Sequence, residues 1–143
     1  MSVTLLGPVA MSGFPLPFYS FRVPAGFPSP AQDHIEQEIS LDQLLELRAP
    51  HTYIARSEGY SMIGVGIHDG DLLIIDRSRE AEHGDIVIAA VNNEPLVKRL
   101  SKQGGLIVLL SENEAYAPRY ILEGDELRVW GVVRFSVRCH DRA

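Results

Sequence analysis

The chain has 143 residues, of which 45% are hydrophobic, and 19 acidic and 13 basic side chains give it a formal net charge of −6. This length and composition predict one globular domain with extensions. No run of lysine or arginine is available to neutralise phosphates, so direct sequence-specific DNA binding is not expected. The single cysteine, Cys139, has no partner for an internal disulfide or a zinc site, which favours a cytoplasmic setting.

Residues 1–25 predict an extended N-terminal arm. Six of the nine prolines fall within the first thirty residues, and such segments are extended and pack poorly on themselves. The arm has no basic leader, and prolines break its apolar stretches. Neither a signal peptide nor a membrane segment is therefore expected.

Residues 26–50 predict a linker with two short helices. In "SPAQDHIEQE", Ser29 is placed as the N-cap and Pro30 as the first helical residue. In "SLDQLLEL", Ser40 and Gln43 have the spacing of a capping box, and three leucines supply an apolar face. The linker is therefore expected to pack its apolar face against another part of the protein.

Residues 51–143 predict a β-rich domain, because short apolar runs alternate there with turn signals. Seven strands are expected, in the runs "TYIARSE", "DLLIID", "DIVIAAV", "PLVKRL", "LIVLL", "YILE" and "ELRVWGVVRFSVR". Seven short strands in so few residues favour a small, highly curved sheet or a sandwich. The predicted fold class is mainly β.

Ser61 lies in the stretch "EGYSMIGVGIHDGD" and has two interpretations, as a turn residue or as a nucleophile. The nucleophile elbow of α/β-hydrolases does not fit, because Ile63 stands where that motif needs glycine. His68 and His83 could complete a triad on paper, but both adjoin turn residues and are better interpreted as solvated loop histidines. The five histidines show no metal-ligand spacing, so no metal and no other cofactor is expected.

Lys98 is the second informative residue. Strand alternation in "PLVKRL" places it on the face of Leu96 and Leu100. A lysine among leucines either extends its ammonium group to water or loses solvation, which lowers its pKa. A neutral lysine could serve as the base for a serine nucleophile, so Ser61 and Lys98 suggest each other.

Several motifs occur in order along this part of the chain: "GYSM", "DGDLLIID", "HGDIVIAAV", "LVKRL", "ENEAYAP" and "VWGVV". Together they resemble the self-cleaving serine proteases of the bacterial SOS response, which include LexA-type repressors and UmuD-type mutagenesis proteins. The resemblance implies a catalytic domain of the LexA/UmuD C-terminal type. It also implies that Ser61 is the nucleophile and Lys98 its general base.

The resemblance further implies that the chain cuts itself at a bond between small residues ahead of the catalytic domain. Ala25 and Gly26 in "RVPAGFPSP" provide such a bond, and cutting there removes the arm of residues 1–25. An extended tether spans about 3.3 Å per residue, so the bond can reach the nucleophile of its own chain or of a dimer mate. Without the resemblance, these two residues would be interpreted as a flexible joint.

The UmuD type is preferred over the repressor type, because the 25 residues before Gly26 leave no room for a helix-turn-helix domain. The resemblance then implies a bacterial cytoplasmic homodimer whose self-cleavage is stimulated by the RecA filament on single-stranded DNA. It implies a UmuC-type Y-family polymerase as partner in error-prone translesion synthesis. The alternatives are a headless LexA-like or phage self-cleaving regulator, and a partner-binding β module that does not cleave; a leader peptidase would need a membrane anchor.

Overall fold

The computed structural model describes residues 2–8, 15–19 and 35–141. The chain divides into two compact units. The larger unit combines the first strand with the chain from Pro50 onward, and the smaller one lies within Ala10–Ala49. Among the described residues, no helix is long and apolar enough to cross a membrane.

Strands dominate the described chain, as predicted. They are β1 Ser2–Pro8, β2 Pro15–Tyr19, β3 Ile35–Ser40, β4 Thr52–Glu58, β5 Leu72–Asp76, β6 Ile86–Val91, β7 Glu94–Gln103, β8 Leu106–Leu110, β9 Arg119–Tyr120 and β10 Leu127–Val137. The described helical segments are a single turn of α-helix, α1 Leu41–Leu44, and a 3-10 turn at Ile63–Val65. All seven strands predicted beyond residue 50 are present, as β4 to β10.

The smaller unit contains an antiparallel pair of strands, β2 and β3, followed by α1. The short helix predicted over residues 29–38 is wrong for Ile35 and the residues after it, which form β3. This segment pairs with β2, and the pairing outweighs the capping signals upstream. The second predicted helix exists as α1, with Ser40 at its N-cap but without a side-chain capping hydrogen bond.

The larger unit is built on one eight-stranded sheet in the order β1-β4-β5-β10-β6-β7-β8-β9. Every neighbouring pair is antiparallel. Although β1 and β7 are far apart in this order, they approach each other, so the sheet curls strongly. The prediction of a mainly β, highly curved domain is therefore confirmed.

Each face of the curved sheet carries its own apolar core, and β6 shows how the sequence specifies both. Ile88 packs in one cluster, with Ala55, Leu73 and Val97. Its neighbours Val87, Ala89 and Val91 pack in the other cluster. Because successive side chains on a strand point to opposite faces, an uninterrupted apolar run such as "IVIAAV" fits a strand that is covered on both sides.

The first residues of the predicted arm belong to the main sheet. Ser2–Pro8 form β1, an edge strand that pairs with β4. Nothing local in the sequence signals this pairing, because the partner strand lies far along the chain. Residues 9–14 and 20–34, including most of the predicted linker helix, lie outside the described residues.

Candidate active site

Ser61 follows β4, on the turn that leads into the 3-10 segment. Strand β4 ends at Glu58, and Gly59 takes a positive φ of 90°, which turns the chain sharply. The side chains of Ser61 and Met62 are both fully buried, and Met62 belongs to the first apolar cluster. The methionine therefore anchors the turn that carries Ser61.

A second segment, Ser111–Asn113, is hydrogen-bonded to this turn. The N–H of Glu112 donates to the carbonyl of Ser61 at 2.8 Å, and the N–H of Gly64 donates to the carbonyl of Glu112 at 2.8 Å. The Asn113 side-chain amide donates to the carbonyl of Tyr60 at 3.0 Å. A Cβ atom on Gly64 would lie 2.5 Å from the Glu112 oxygen, so only glycine permits this close approach. We call Ser111–Asn113 the bridging segment.

The turn after β4 is also fixed near its far end, at Asp71. The buried carboxylate of Asp71 accepts hydrogen bonds from the Arg138 guanidinium at 3.0 and 3.1 Å and from the N–H of His68 at 2.8 Å. Burial alone raises the pKa of Asp71, but these hydrogen bonds outweigh it and leave the pKa below its usual value. Ser57, at the end of β4, donates its hydroxyl to the carbonyl of His68 at 2.7 Å.

Lys98 lies in the middle of β7 and is 8% exposed. Its Nζ atom donates to the Ser111 hydroxyl at 2.7 Å and lies 5.6 Å from the centre of the Tyr116 ring. Desolvation by burial lowers the pKa of Lys98 below its ordinary value. A lysine in this setting releases its proton more readily than one in water.

The bridging segment contacts both Ser61 and Lys98. Lys98 bonds to its first residue, Ser111, and Ser61 bonds through its carbonyl to the next, Glu112. The Ser61 hydroxyl itself is buried and has no hydrogen-bond partner among the residues that the structure describes. The two residues are thus linked through adjacent positions of the bridging segment, Lys98 by its side chain and Ser61 by its backbone, and no hydrogen bond joins their side chains in the described chain.

The alternative histidines have other partners. His68 Nδ1 contacts the guanidinium of Arg138. His83 Nδ1 accepts a hydrogen bond from the backbone N–H of Lys102 at 2.9 Å. Both side chains are exposed, as expected for loop histidines, and neither bonds to Ser61 within the described chain.

Sequence reasoning missed the roles of Ser111 and Glu112. The motif "ENEAYAP" was recognised as part of the resemblance, but no function was assigned to it. Glu112 also accepts a hydrogen bond from Arg99 Nε, so the segment is tied to β7 at the residue after Lys98. The available signal was a hydroxyl residue directly after β8, which becomes meaningful only once β7 and β8 are known to pair.

The predicted cleavage bond, Ala25–Gly26, lies outside the described residues. Within residues 2–8, 15–19 and 35–141, no group of three or more His, Cys, Asp or Glu side chains is placed to hold a metal ion. Cys139 is exposed and forms no disulfide.

Comparison with known proteins places this geometry in a family. The sequence matches the peptidase S24-like family over residues 17–134. It is 41% identical to the MucA protein of Salmonella typhimurium over 126 residues, which cover 87% of this chain and 86% of that protein. It is 42% identical to the SamA protein of Salmonella typhimurium LT2 over 117 residues, which cover 82% of this chain and 81% of that one.

The LexA repressor of Bordetella pertussis is matched differently. It is 41% identical over 117 residues, which cover 82% of this chain but 54% of the repressor. The shared region is thus most of this chain and about half of the repressor, whereas MucA and SamA are matched over most of their own length. The chain therefore belongs to the peptidase S24-like family of serine peptidases, as a UmuD-type self-cleaving protein of the SOS response.

Proposed function

We propose that Ser61 is the nucleophile and Lys98 the general base of this peptidase, and that the bond cut is Ala25–Gly26. One observation carries the assignment. Lys98 is a buried lysine with a lowered pKa, and the residue that receives its hydrogen bond adjoins the residue bonded to Ser61. A buried lysine whose pKa is lowered by desolvation is the kind of group that a catalytic site uses as a base.

The proposed reaction has two steps. Neutral Lys98 Nζ accepts the hydroxyl proton while Ser61 Oγ bonds to the carbonyl carbon of Ala25. The bond from that carbon to the Gly26 nitrogen then breaks, and Nζ returns the proton to the departing amine. Water next attacks the acyl group on Ser61, with Lys98 again receiving and returning the proton, and releases the carboxylate of Ala25. Backbone N–H groups of the turn around Ser61 would stabilise the oxyanion.

Ser111 positions the amine of Lys98 in the proposed mechanism. In the structure its hydroxyl holds Lys98 Nζ, so Nζ has to exchange this partner for Ser61 Oγ when the substrate segment arrives. The lysine side chain is flexible, and in this proposal rotation about its bonds moves Nζ from the Ser111 hydroxyl to the Ser61 hydroxyl. A hydrogen bond that restricts Nζ before the reaction reduces the entropy lost when Nζ takes its place at the Ser61 hydroxyl.

The proposed setting follows the UmuD type. Self-cleavage removes residues 1–25 when the RecA filament on single-stranded DNA stimulates it. The trimmed protein acts as a homodimer in the bacterial cytoplasm and joins a UmuC-type Y-family polymerase. The family membership and the match to MucA and SamA over most of their length support this setting.

The first experiment is intact-mass measurement after incubation at alkaline pH. Wild type, Ser61→Ala and Lys98→Ala are compared, with Lys102→Ala as a control that removes an exposed lysine from the same strand. We expect a fragment beginning at Gly26 from wild type and Lys102→Ala. We expect none from Ser61→Ala, and a rate reduced about 10²–10⁴-fold for Lys98→Ala.

Two results would redirect the proposal. A fragment beginning elsewhere would retain the two catalytic residues and move the bond. Full-length protein in every sample, including samples with RecA filament on single-stranded DNA, would favour the alternative of a β module that binds partners without cleaving.

A further inference from the structure

Strand β1 is held along one edge of the sheet by β4. The two strands pair antiparallel from Ser2 opposite Glu58 to Pro8 opposite Tyr53, with a register shift near Leu6. No other strand of the described chain pairs with the outer edge of β1. The strand is therefore joined to the domain by one hydrogen-bonded edge and, among its described side chains, by Val3.

Val3 is the apolar anchor of β1. It is half-buried and packs against the first core cluster. With Ala55, Ile88 and Trp130 it lines a cavity of about 230 Å³, whose walls come from β1, β4, β6, β7 and β10. Leu6, in contrast, is 52% exposed.

Without β1, the domain would present two features side by side. One is the unpaired N–H and C=O edge of β4, which readily pairs with another extended chain. The other is the apolar cavity beside Ala55 and Trp130, open where Val3 now sits. A backbone edge next to an apolar pocket is the arrangement by which proteins bind extended peptides as an added strand.

Self-cleavage changes how β1 is held, and the inference rests on the proposed function at this point. In the intact chain, a covalent tether keeps β1 at an effective concentration on the order of millimolar. A cut at Ala25–Gly26 removes the tether and leaves a short strand bound by one edge and, among its described side chains, by Val3. Such a peptide dissociates at the micromolar or lower concentrations of a cellular protein.

We propose that the β4 edge and its apolar cavity form a strand-binding site, filled by β1 in the intact chain and by an extended segment of a partner protein after the cut. The segment runs antiparallel to β4 and carries a β-branched apolar residue at the place of Val3. The partner class is thus a protein with an exposed extended segment, and cleavage exchanges an internal strand for an external one.

The test uses the full chain with Ser61→Ala, which keeps the arm attached, so that its result does not depend on cleavage. Val3→Asp is added to release β1, and Leu6→Asp is the matched control on the same strand. The probe is a fluorescent synthetic peptide with the sequence of residues 2–8. A second peptide with aspartate in place of Val3 reports on unspecific binding.

We expect hydrogen exchange in β4 to be about tenfold faster with Val3→Asp than in the parent, because half of its backbone groups lose their partner. The peptide should bind the Val3→Asp protein and not the parent or the Leu6→Asp protein. If Val3→Asp does not fold, Val3→Ala replaces it. We then expect a smaller increase in hydrogen exchange, and the peptide should again bind this variant but not the parent or the Leu6→Asp protein. Unchanged exchange in β4 together with no peptide binding would overturn the proposal.

A second measurement uses wild type after self-cleavage. Native mass spectrometry on dilution into the low micromolar range should show release of the 1–25 fragment, and added peptide of residues 2–8 should rebind. A fragment that stays bound at nanomolar concentration would overturn the proposal that a partner segment replaces β1. If no cut occurs, the proposed function has failed while the result with the non-cleaving protein still decides the strand-binding site.

Discussion

The turn carrying Ser61 and the edge strand β1 both adjoin β4, yet they are held in opposite ways. The turn is fixed by two backbone hydrogen bonds to the bridging segment, by a buried methionine and by a glycine in close contact with Glu112. Strand β1 has one pairing edge and one described apolar anchor, Val3. Chemistry requires the first kind of support, and a replaceable segment requires the second.

We expect the largest effect from Gly64→Val, which disrupts the rigidly held turn that carries Ser61. The new side chain would collide with the Glu112 carbonyl and break its hydrogen bond to the Gly64 N–H. We expect a loss of about 2–4 kcal/mol in the free energy of unfolding. Self-cleavage should fall about 10²-fold, because the turn is displaced. Urea unfolding and intact mass measure both, and Val65→Ala, at an exposed neighbour, is the control. Wild-type cleavage by Gly64→Val would show that the bridging segment does not position Ser61.

Asp71→Asn tests how much the ionic contacts at the other end of the same turn stabilise it. The neutral side chain loses its charge-assisted bonds with Arg138, and we expect the free energy of unfolding at pH 7 to fall by about 1–3 kcal/mol. Because the folded-state pKa of Asp71 is lowered, its contribution is present above the unfolded pKa of about 3.9 and is lost as the pH falls through the folded value.

Urea unfolding across this range should show the two proteins converging at acid pH. The exposed Glu80→Gln serves as a control for general charge effects. An equal difference between Asp71→Asn and wild type at pH 7 and at pH 2 would contradict the ionic role of Asp71.

Ser111→Ala tests whether the bridging segment orients the base as well as the turn. The Ser111 hydroxyl accepts a hydrogen bond from Lys98, which favours the charged amine more than the neutral one, so its removal should lower the pKa of Lys98 further. The midpoint of the rate against pH should move to lower pH, while the plateau falls about tenfold because Nζ is less well placed.

Ser111→Thr should restore both quantities, and Ser101→Ala, on β7 itself, should change neither. In all active variants the rate should rise about tenfold per pH unit below the Lys98 pKa and level off above it. A lower plateau with an unmoved midpoint would mean that Ser111 is only structural.

The smallest effect is expected from Tyr60→Ala. The side chain is 59% exposed, and the hydrogen bond to Asn113 uses the backbone carbonyl, which the substitution keeps. We expect the free energy of unfolding to change by less than about 0.5 kcal/mol. Asn113→Ala, which removes the other partner of that bond, should destabilise more. A large decrease in the free energy of unfolding of Tyr60→Ala would show that the exposed Tyr60 ring helps to hold the turn.

The sequence predicted the strands of the main sheet well because each one is a local pattern. Alternating or continuous apolar runs between turn residues specify β4 to β10 without knowledge of their partners. Edge strand β1 and strand β3 were missed or misassigned, since both depend on pairing with residues that local patterns do not identify. Capping signals near Ser29 favoured a helix, and strand pairing prevailed from Ile35 onward.

For the candidate site, the sequence identified the chemical groups better than their surroundings. Ser61 and Lys98 were selected by residue type and by the resemblance, and of the two environments that the sequence left open for Lys98 the structure has the buried one. The bridging segment was recognised only as a motif. Its contacts with the Ser61 turn and with β7 arise from a curved sheet, and no spacing in the sequence encodes them.

The place of β10 has a consequence for protein synthesis. It follows the other described strands in the sequence, yet it lies in the interior of the sheet, between β5 and β6. The Ser61 turn belongs to the half of the sheet before it, and Lys98 with the bridging segment belongs to the other half. The two halves can be joined through β10 only after that strand has been synthesised, so we expect the proposed self-cleavage to be slow on a nascent chain that still lacks β10.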